Sequence, residues 1–113
     1  MALRMDRDLA IVGMSGRFPL ADNLDAFWDN LKNGVDCVRT IPEHRRAQLD
    51  KYLRFSGWED DALYRGEAAF LDDIEGFDYA FFGVTRREAC LMDPNQRLFL
   101  QVAYEALEDA GCT

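Results

Sequence analysis

The 113 residues suffice for one small domain, a size that buries only about two-thirds of the surface the unfolded chain exposes. With 49% hydrophobic, 12% aromatic and 30% charged residues, the composition is that of a folded chain rather than a disordered one. A formal net charge of -8 excludes a general nucleic-acid binder, because neutralising phosphates needs clustered Lys and Arg, and the small basic pairs Arg45-Arg46 and Arg86-Arg87 do not reverse the balance.

Residues 1–7 read as a short tail with charge but no following apolar core and cleavage site, so they do not form a secretory signal. No apolar stretch approaches the roughly 20 residues that span a bilayer, and a cytoplasmic location with no membrane partner is expected. Leu9-Ala10-Ile11-Val12, closed by Gly13, predicts a short strand buried on both faces, the pattern of an α/β sheet covered by helices. Gly13-Met14-Ser15-Gly16 then reads as a structural turn. It matches neither GxGxxG nor GxxxxGK[ST], and no helix opens directly behind it to receive a phosphate.

Asn23 can cap a helix with its side-chain oxygen, and Leu24, Phe27, Trp28 and Leu31 at i, i+3, i+4 and i+7 give it one apolar stripe, expected to pack on the strand. Asn33-Gly34 supplies the stop. Ile41-Pro42-Glu43 starts a second helix running to about Tyr52, and the stretch from Leu53 to Gly66 carries no sustained period and reads as loop. Ala68-Ala69-Phe70-Leu71 predicts a second strand. Phe77, Tyr79, Phe81 and Phe82 follow as an aromatic cluster that requires burial, within the chain or against a partner. Thr85 and Glu88 have capping-box spacing, and Asp93-Pro94 supplies an N-cap and an N1 proline for a last helix from Pro94 to about Ala110. That helix is apolar over a wider arc than one surface face needs, with only Arg97, Gln101, Glu105 and Glu108 as a polar stripe, so it implies cover on several sides. A chain of this length supplies little of that cover, which marks it as part of something larger.

Chemistry-bearing residues are few. Cys37, Cys90 and Cys112 lack CxxC spacing and number three, which fits neither a disulfide framework nor a zinc site, so free thiols are expected. Cys90 lies more than a turn into its helix between Ala89 and Leu91 and reads as a buried thiol. His44, the single histidine, has no argued Ser or Cys partner and reads as a surface residue. Asp72-Asp73 and Glu59-Asp60-Asp61 read as solvated charge rather than acid/base or metal chemistry. No catalytic, cofactor-binding or metal-ligating residue is assigned.

Five segments in order carry a resemblance: Asp8-Leu-Ala-Ile-Val-Gly-Met-Ser-Gly-Arg-Phe-Pro19, Asn23-Leu-Asp-Ala-Phe-Trp28, Phe70-Leu-Asp-Asp-Ile-Glu-Gly-Phe-Asp78, Phe81-Phe-Gly-Val-Thr-Arg-Arg-Glu88, and Met92-Asp-Pro-Asn-Gln-Arg97 with Glu105-Ala-Leu-Glu-Asp-Ala-Gly111. Together they resemble the start of a β-ketoacyl synthase domain, closest to the ketosynthases of modular polyketide synthases. The stretch Tyr52 to Arg65 departs from the family's usual proline-rich loop, and within it Leu53-Arg54-Phe55-Ser56-Gly57-Trp58 resembles a variant found in trans-acyltransferase assembly lines. The resemblance makes residues 8–113 an N-terminal ketosynthase fragment.

It implies an incomplete part of a thiolase-like α/β fold, an αβαβα sandwich, here with a buried N-terminal strand and three or four helices, and a homodimer in the full domain. It also implies decarboxylative Claisen condensation between an acyl group on a cysteine and a malonyl-type unit on the phosphopantetheine arm of a carrier protein. The family's nucleophile lies in a Cys-Ser-Ser context and its histidines follow, all downstream of this segment. Cys37, Cys90, Cys112 and His44 match none of them, so the isolated chain is expected to be inactive and to bind no cofactor itself. Its partners would be the remainder of the domain and, through it, the carrier protein. Carrier proteins are usually acidic, which leaves Arg45, Arg46, Arg86 and Arg87 as the local exceptions on an otherwise repelling surface. The alternative is a small docking or interaction subunit that completes a partner ketosynthase, suggested by the start at Met1 and the helix stop at Gly111.

Overall fold

A computed structural model describes residues 9–57 and 66–112. Its elements in chain order are α1 (Leu24–Lys32), β1 (Arg39–Thr40), α2 (Glu43–Ser56), β2 (Glu67–Ala68), α3 (Arg86–Leu91) and α4 (Pro94–Asp109). The described residues group into two compact units, one of residues 9–15 and 77–112, the other within Gly16–Gly76.

The second unit opens on a tight turn. Phe18 and Ala21 exchange backbone hydrogen bonds of 2.8 and 3.0 Å, with Pro19 and Leu20 at the two central positions. Proline suits the first of these. Leu20 takes φ 57 at the second, a left-handed conformation that crowds a Cβ and costs roughly 1–2 kcal/mol. The turn is held from α1, where the Asn30 side-chain amide donates to the Leu20 carbonyl at 3.0 Å and the Phe27 ring stacks on Phe18 with centroids 3.9 Å apart. Leu20→Gly removes the Cβ without touching either contact and is expected to raise stability by roughly 0.5–1 kcal/mol after the entropy cost of glycine, read as a higher denaturation midpoint.

α1 begins as its sequence dictates. The Asn23 side chain accepts from the Ala26 N–H at 2.9 Å, and Gly34 takes φ 62 after the last turn. Leu24 and Phe27 are half-buried, whereas Trp28 and Leu31 stay more than half exposed, so only part of the expected stripe is packed.

β1 and β2 form one antiparallel pair, Arg39 opposite Ala68 and Thr40 opposite Glu67. The second strand is therefore shorter than Ala68 to Leu71 and starts one residue earlier. The reason is that arginines take the carbonyls a ladder would need. Arg39 donates from Nη2 to the Phe70 carbonyl at 3.0 Å, and Arg45 donates from Nη1 to the Leu71 carbonyl at 3.3 Å. The Arg45 guanidinium also lies 5.5 Å above the Phe70 ring.

α2 outruns its expected end by one turn. Leu53, at 5% exposure, is its buried anchor, and Gly57 at φ 72 terminates it in the left-handed region with its N–H on the Leu53 carbonyl. The stop signal lay in the stretch read as loop.

In the first unit, Leu9 to Val12 is not a strand and is not buried. No residue among those described pairs with it, and Leu9, Ile11 and Val12 are 96%, 81% and 72% exposed. An apolar run is a strand only when a neighbour takes its N–H and C=O groups and another layer covers its side chains. Neither is supplied by the described residues.

The end of the segment is nevertheless fixed. A Cβ on Gly13 would stand 2.4 Å from the Ala106 carbonyl oxygen and 2.7 Å from the Ala110 Cβ, so glycine lets the backbone lie against α4. The Met14 N–H then donates to the Asp109 carboxylate at 2.9 Å, and the Ser15 hydroxyl donates to Glu105 Oε2 at 2.8 Å.

The aromatic cluster is packed here in part. Phe82 stacks on Phe77, Phe81 meets Phe82 edge-on, and Tyr104 from α4 meets Phe81 edge-on at 4.7 Å between centroids. Phe81 and Tyr79 remain partly exposed. The capping box forms as its spacing predicts. The Glu88 N–H donates to Thr85 Oγ1 at 3.2 Å, and the Thr85 N–H donates to Glu88 Oε2 at 2.8 Å.

α4 starts at Asp93, whose carboxylate accepts from the Asn95 N–H at 2.8 Å, with Pro94 at its first position. It ends where Gly111 takes φ 71. None of its residues is fully buried, and Phe99 and Leu107 are 71% and 52% exposed. The wide apolar arc thus exists without its cover.

Candidate functional site

Within each unit, the described residues that carry chemistry form no cluster. Cys37, Cys90 and Cys112 are free thiols. The Cys37 and Cys112 thiols donate to carbonyls two residues away, those of Val35 and Ala110. Cys90 is exposed, not buried. α3 turns Ala89 inward, at 6% exposure, and the next residue, about 100° round the helix, faces out. His44 is exposed as expected, and among the described residues no hydrogen bond joins it to a cysteine or serine. No group of three or more His, Cys, Asp or Glu is placed to hold a metal ion among the described residues.

The carboxylates near β2 have structural work rather than free charge. Asp72 pairs with Arg39 Nη2 at 2.6 Å. Asp73 Oδ1 accepts from the Glu75 and Gly76 N–H groups at 2.9 and 3.0 Å, and the two backbone donors, Gly76 first, hold its carboxyl below the usual aspartate range, helped by the Arg17 and His44 charges. The Gln48 side chain on α2 donates to Glu75, so residues 70–75 are tied to the helix from both ends. Glu59-Asp60-Asp61 lies outside the described residues.

Two other groups are shifted by hydrogen bonds. The Tyr104 hydroxyl, bonded to the Glu108 carboxylate, is held above the ordinary phenol range. Glu88 is held below the usual glutamate range, first by the Thr85 N–H and then by its hydroxyl. A folded value lowered in this way contributes stability that is fully present above the ordinary glutamate value of about 4.3 and is lost as pH falls through the lower folded value. The first turn of α3 is therefore expected to open below about pH 4. Amide exchange at Glu88 should accelerate in that range; Thr85→Ala, which keeps the backbone donor and removes only the hydroxyl, should shrink the pH step, and Glu88→Gln should abolish it.

Of the basic pairs, Arg45 is spent inside its unit on Leu71 and Phe70, which removes it as a surface exception. Arg46, Arg86 and Arg87 are exposed. The exposed cations Lys51 and Arg54 of α2 were missed by looking for adjacent pairs; helical spacing is the signal that finds them.

Among the described residues, four helices with one small sheet, a wide apolar helix left uncovered and no assembled catalytic group make the pattern of a segment of a larger α/β domain. Comparison with known proteins says which. Residues 6–113 match the model of the β-ketoacyl synthase N-terminal domain, and the chain belongs to that family.

Among curated relatives, polyketide synthase PksL of Bacillus subtilis (strain 168) is 44% identical over 108 residues, 94% of this chain and 2% of that protein. The non-reducing polyketide synthase Preu6 of Preussia isomera is 46% identical over 107 residues, 94% of this chain and 5% of that protein. Among solved structures, the ketosynthase from module 6 of the Bacillus subtilis 168 bacillaene synthase superposes with a TM-score of 0.71 at 47% identity, over 90% of this chain and 16% of that one. An oxazolomycin ketosynthase domain from Streptomyces albus JA3453 gives 0.71 at 38% identity, over 89% of this chain and 18% of that one. The chain is thus a ketosynthase N-terminal segment of the polyketide-synthase type and an incomplete part of a thiolase-like α/β fold. It spans under a fifth of the solved ketosynthase chains it matches.

Proposed function

We propose that the chain acts as the opening segment, residues 8–113 behind a tail of residues 1–7, of a polyketide ketosynthase of the trans-acyltransferase type. In the complete, homodimeric domain an acyl group rests on a cysteine thiolate. A malonyl-type unit on a carrier protein's phosphopantetheine arm loses carbon dioxide, and the resulting enolate attacks the acyl thioester, releasing the cysteine and leaving a β-ketoacyl chain on the carrier. Histidines that assist decarboxylation, and backbone donors at the thioester oxygen, belong with that cysteine outside this segment. Cys37, Cys90, Cys112 and His44 take no part.

The observation that carries this reading is the exposure of the most apolar parts of one unit, Leu9, Ile11 and Val12 beside the Gly13 contact, and Phe99 and Leu107 on α4. Exposing such side chains forfeits about 1.5–3 kcal/mol each relative to burial, so they call for cover, and the rest of a ketosynthase domain is the cover this family has. The segment's role is then scaffolding: residues 9–12 complete a strand layer and α4 a packing layer.

A hybrid in which residues 9–112 replace the matching stretch of the bacillaene module 6 ketosynthase tests it. The hybrid should form β-ketoacyl product from acyl and malonyl carrier thioesters, while the 113-residue chain alone forms none. A folded hybrid without product would count against the proposal.

A further inference from the structure

The run Leu9-Ala10-Ile11-Val12 is apolar at every position, the pattern of a strand covered on both faces. Such a run has no in-out alternation, so sliding it by one residue against a neighbour exchanges one apolar face for another. Its own side chains leave the pairing register weakly specified. Something outside the run has to fix it.

A stop lies immediately behind it. Residues 9–15 contain no turn or bend, so the run leads straight into three residues that α4 holds. At Gly13 a Cβ would stand 2.4 Å from the Ala106 carbonyl oxygen, so α4 itself fills that side of the chain. The Met14 N–H, which a continuing ladder on its edge would need, is already bonded to the Asp109 carboxylate at 2.9 Å. The Ser15 hydroxyl adds a bond of 2.8 Å to Glu105, four residues before Asp109 on the same face of the helix. A ladder formed through residues 9–12 meets a fixed end at Gly13.

Asp109 stands where its own helix gains nothing from it. It is the last residue of α4, where the carbonyl ends of the helix repel a carboxylate, and no basic residue lies in that turn. Its bond to Met14 gives it a role there.

A partner for residues 9–12 has to bring hydrogen-bonding neighbours and cover for two faces. A second copy adding its own run would pair one edge and leave both faces to water. A lipid surface would leave the backbone groups unpaired. The remainder of an α/β domain brings all of these, and the chain spans only 16% and 18% of the two ketosynthase chains it superposes on.

We propose that residues 13–15, clamped on Asp109 and Glu105, are a register stop that sets how residues 9–12 enter the sheet of the ketosynthase domain, with Asp109 and Ser15 as positioning residues. The proposal rests on the ketosynthase reading, which provides the sheet.

The test uses the hybrid carrying residues 9–112, unfolded in denaturant, refolded by dilution, and read by site-resolved amide exchange and by β-ketoacyl product. In the native hybrid the amides of residues 10–12 should exchange on the order of a hundredfold more slowly than in the 113-residue chain. Asp109→Ala with Ser15→Ala should lower the refolded fraction protected at residues 10–12 about fivefold, while the amides of α4 keep their protection. Asp109→Asn keeps an acceptor for the Met14 N–H and should return most of the yield. Asp109→Ala alone, which leaves the Ser15 bond, should lose about twofold and serves if the double variant does not refold.

Native yield and native protection of residues 10–12 in the alanine variants overturn the proposal. So does an equal loss of protection throughout α4, since the clamp would then only hold its own unit together. A loss in Asp109→Asn as large as in Asp109→Ala overturns it, because charge and not the bond would be responsible. Concentration-dependent protection of residues 10–12 in the isolated chain overturns it as well, a second copy being the partner. A native hybrid that is protected at residues 10–12 but forms no product supports the stop and removes the ketosynthase reading. One that condenses with residues 10–12 unprotected removes the stop alone.

Discussion

Gly13→Ala is expected to cost about 3 kcal/mol, the upper end of what overfilling a packed contact costs. The added methyl would stand 2.4 Å from a backbone carbonyl oxygen and 2.7 Å from the Ala110 backbone nitrogen, and neither can swing aside as a long side chain would. Residues 13–15 would have to lift from α4, and the hydrogen bonds from Met14 to Asp109 and from Ser15 to Glu105 would lengthen with them. Two companion variants separate the causes. Ser15→Ala, which removes one hydrogen bond and adds no bulk, should cost only about 1 kcal/mol. Gly66→Ala, where a Cβ meets nothing within 4 Å, should stay within about 0.5 kcal/mol of the native chain. Chemical denaturation midpoints in that order would confirm that close approach, rather than backbone freedom, fixes glycine at position 13. Equal midpoints for the two glycine variants would contradict it.

Local signals were legible in the sequence where their physics is local. The Asn23 cap, the Thr85 and Glu88 box, and the Asp93-Pro94 start each satisfy backbone groups within a few residues, and each appears as read. Features that depend on distant partners were not. Residues 9–12 have the composition of a buried strand, but pairing and cover must come from elsewhere, so the run stays open here. The second strand yielded to arginines 26 and 31 residues away, which no periodicity reveals. Cys90 faces out because Ala89 is the residue α3 buries, a difference of about 100° round the helix that apolar neighbours in sequence could not settle. Of the basic surface, Arg45 looked available and is spent internally, while Lys51 and Arg54, separated in sequence, share the outside of α2. The family was legible because five local motifs in fixed order need no tertiary partner to be read.

Where the acyl group goes decides the account. With the native chain alone, incubation with an acyl thioester should leave Cys37, Cys90 and Cys112 unmodified, because a nucleophilic thiol is activated by an adjacent base and, among the described residues, none of the three has a histidine bonded to it. Cys90 is the most demanding case, exposed and near Arg86 and Arg87 on a six-residue helix. The same incubation with the hybrid, followed by intact mass and peptide mapping, should give one acyl adduct per subunit on a cysteine outside residues 9–112. An adduct on Cys37, Cys90 or Cys112, in the isolated chain or in the hybrid, would contradict the assignment of this chain as the scaffolding start of a ketosynthase whose nucleophile lies beyond it.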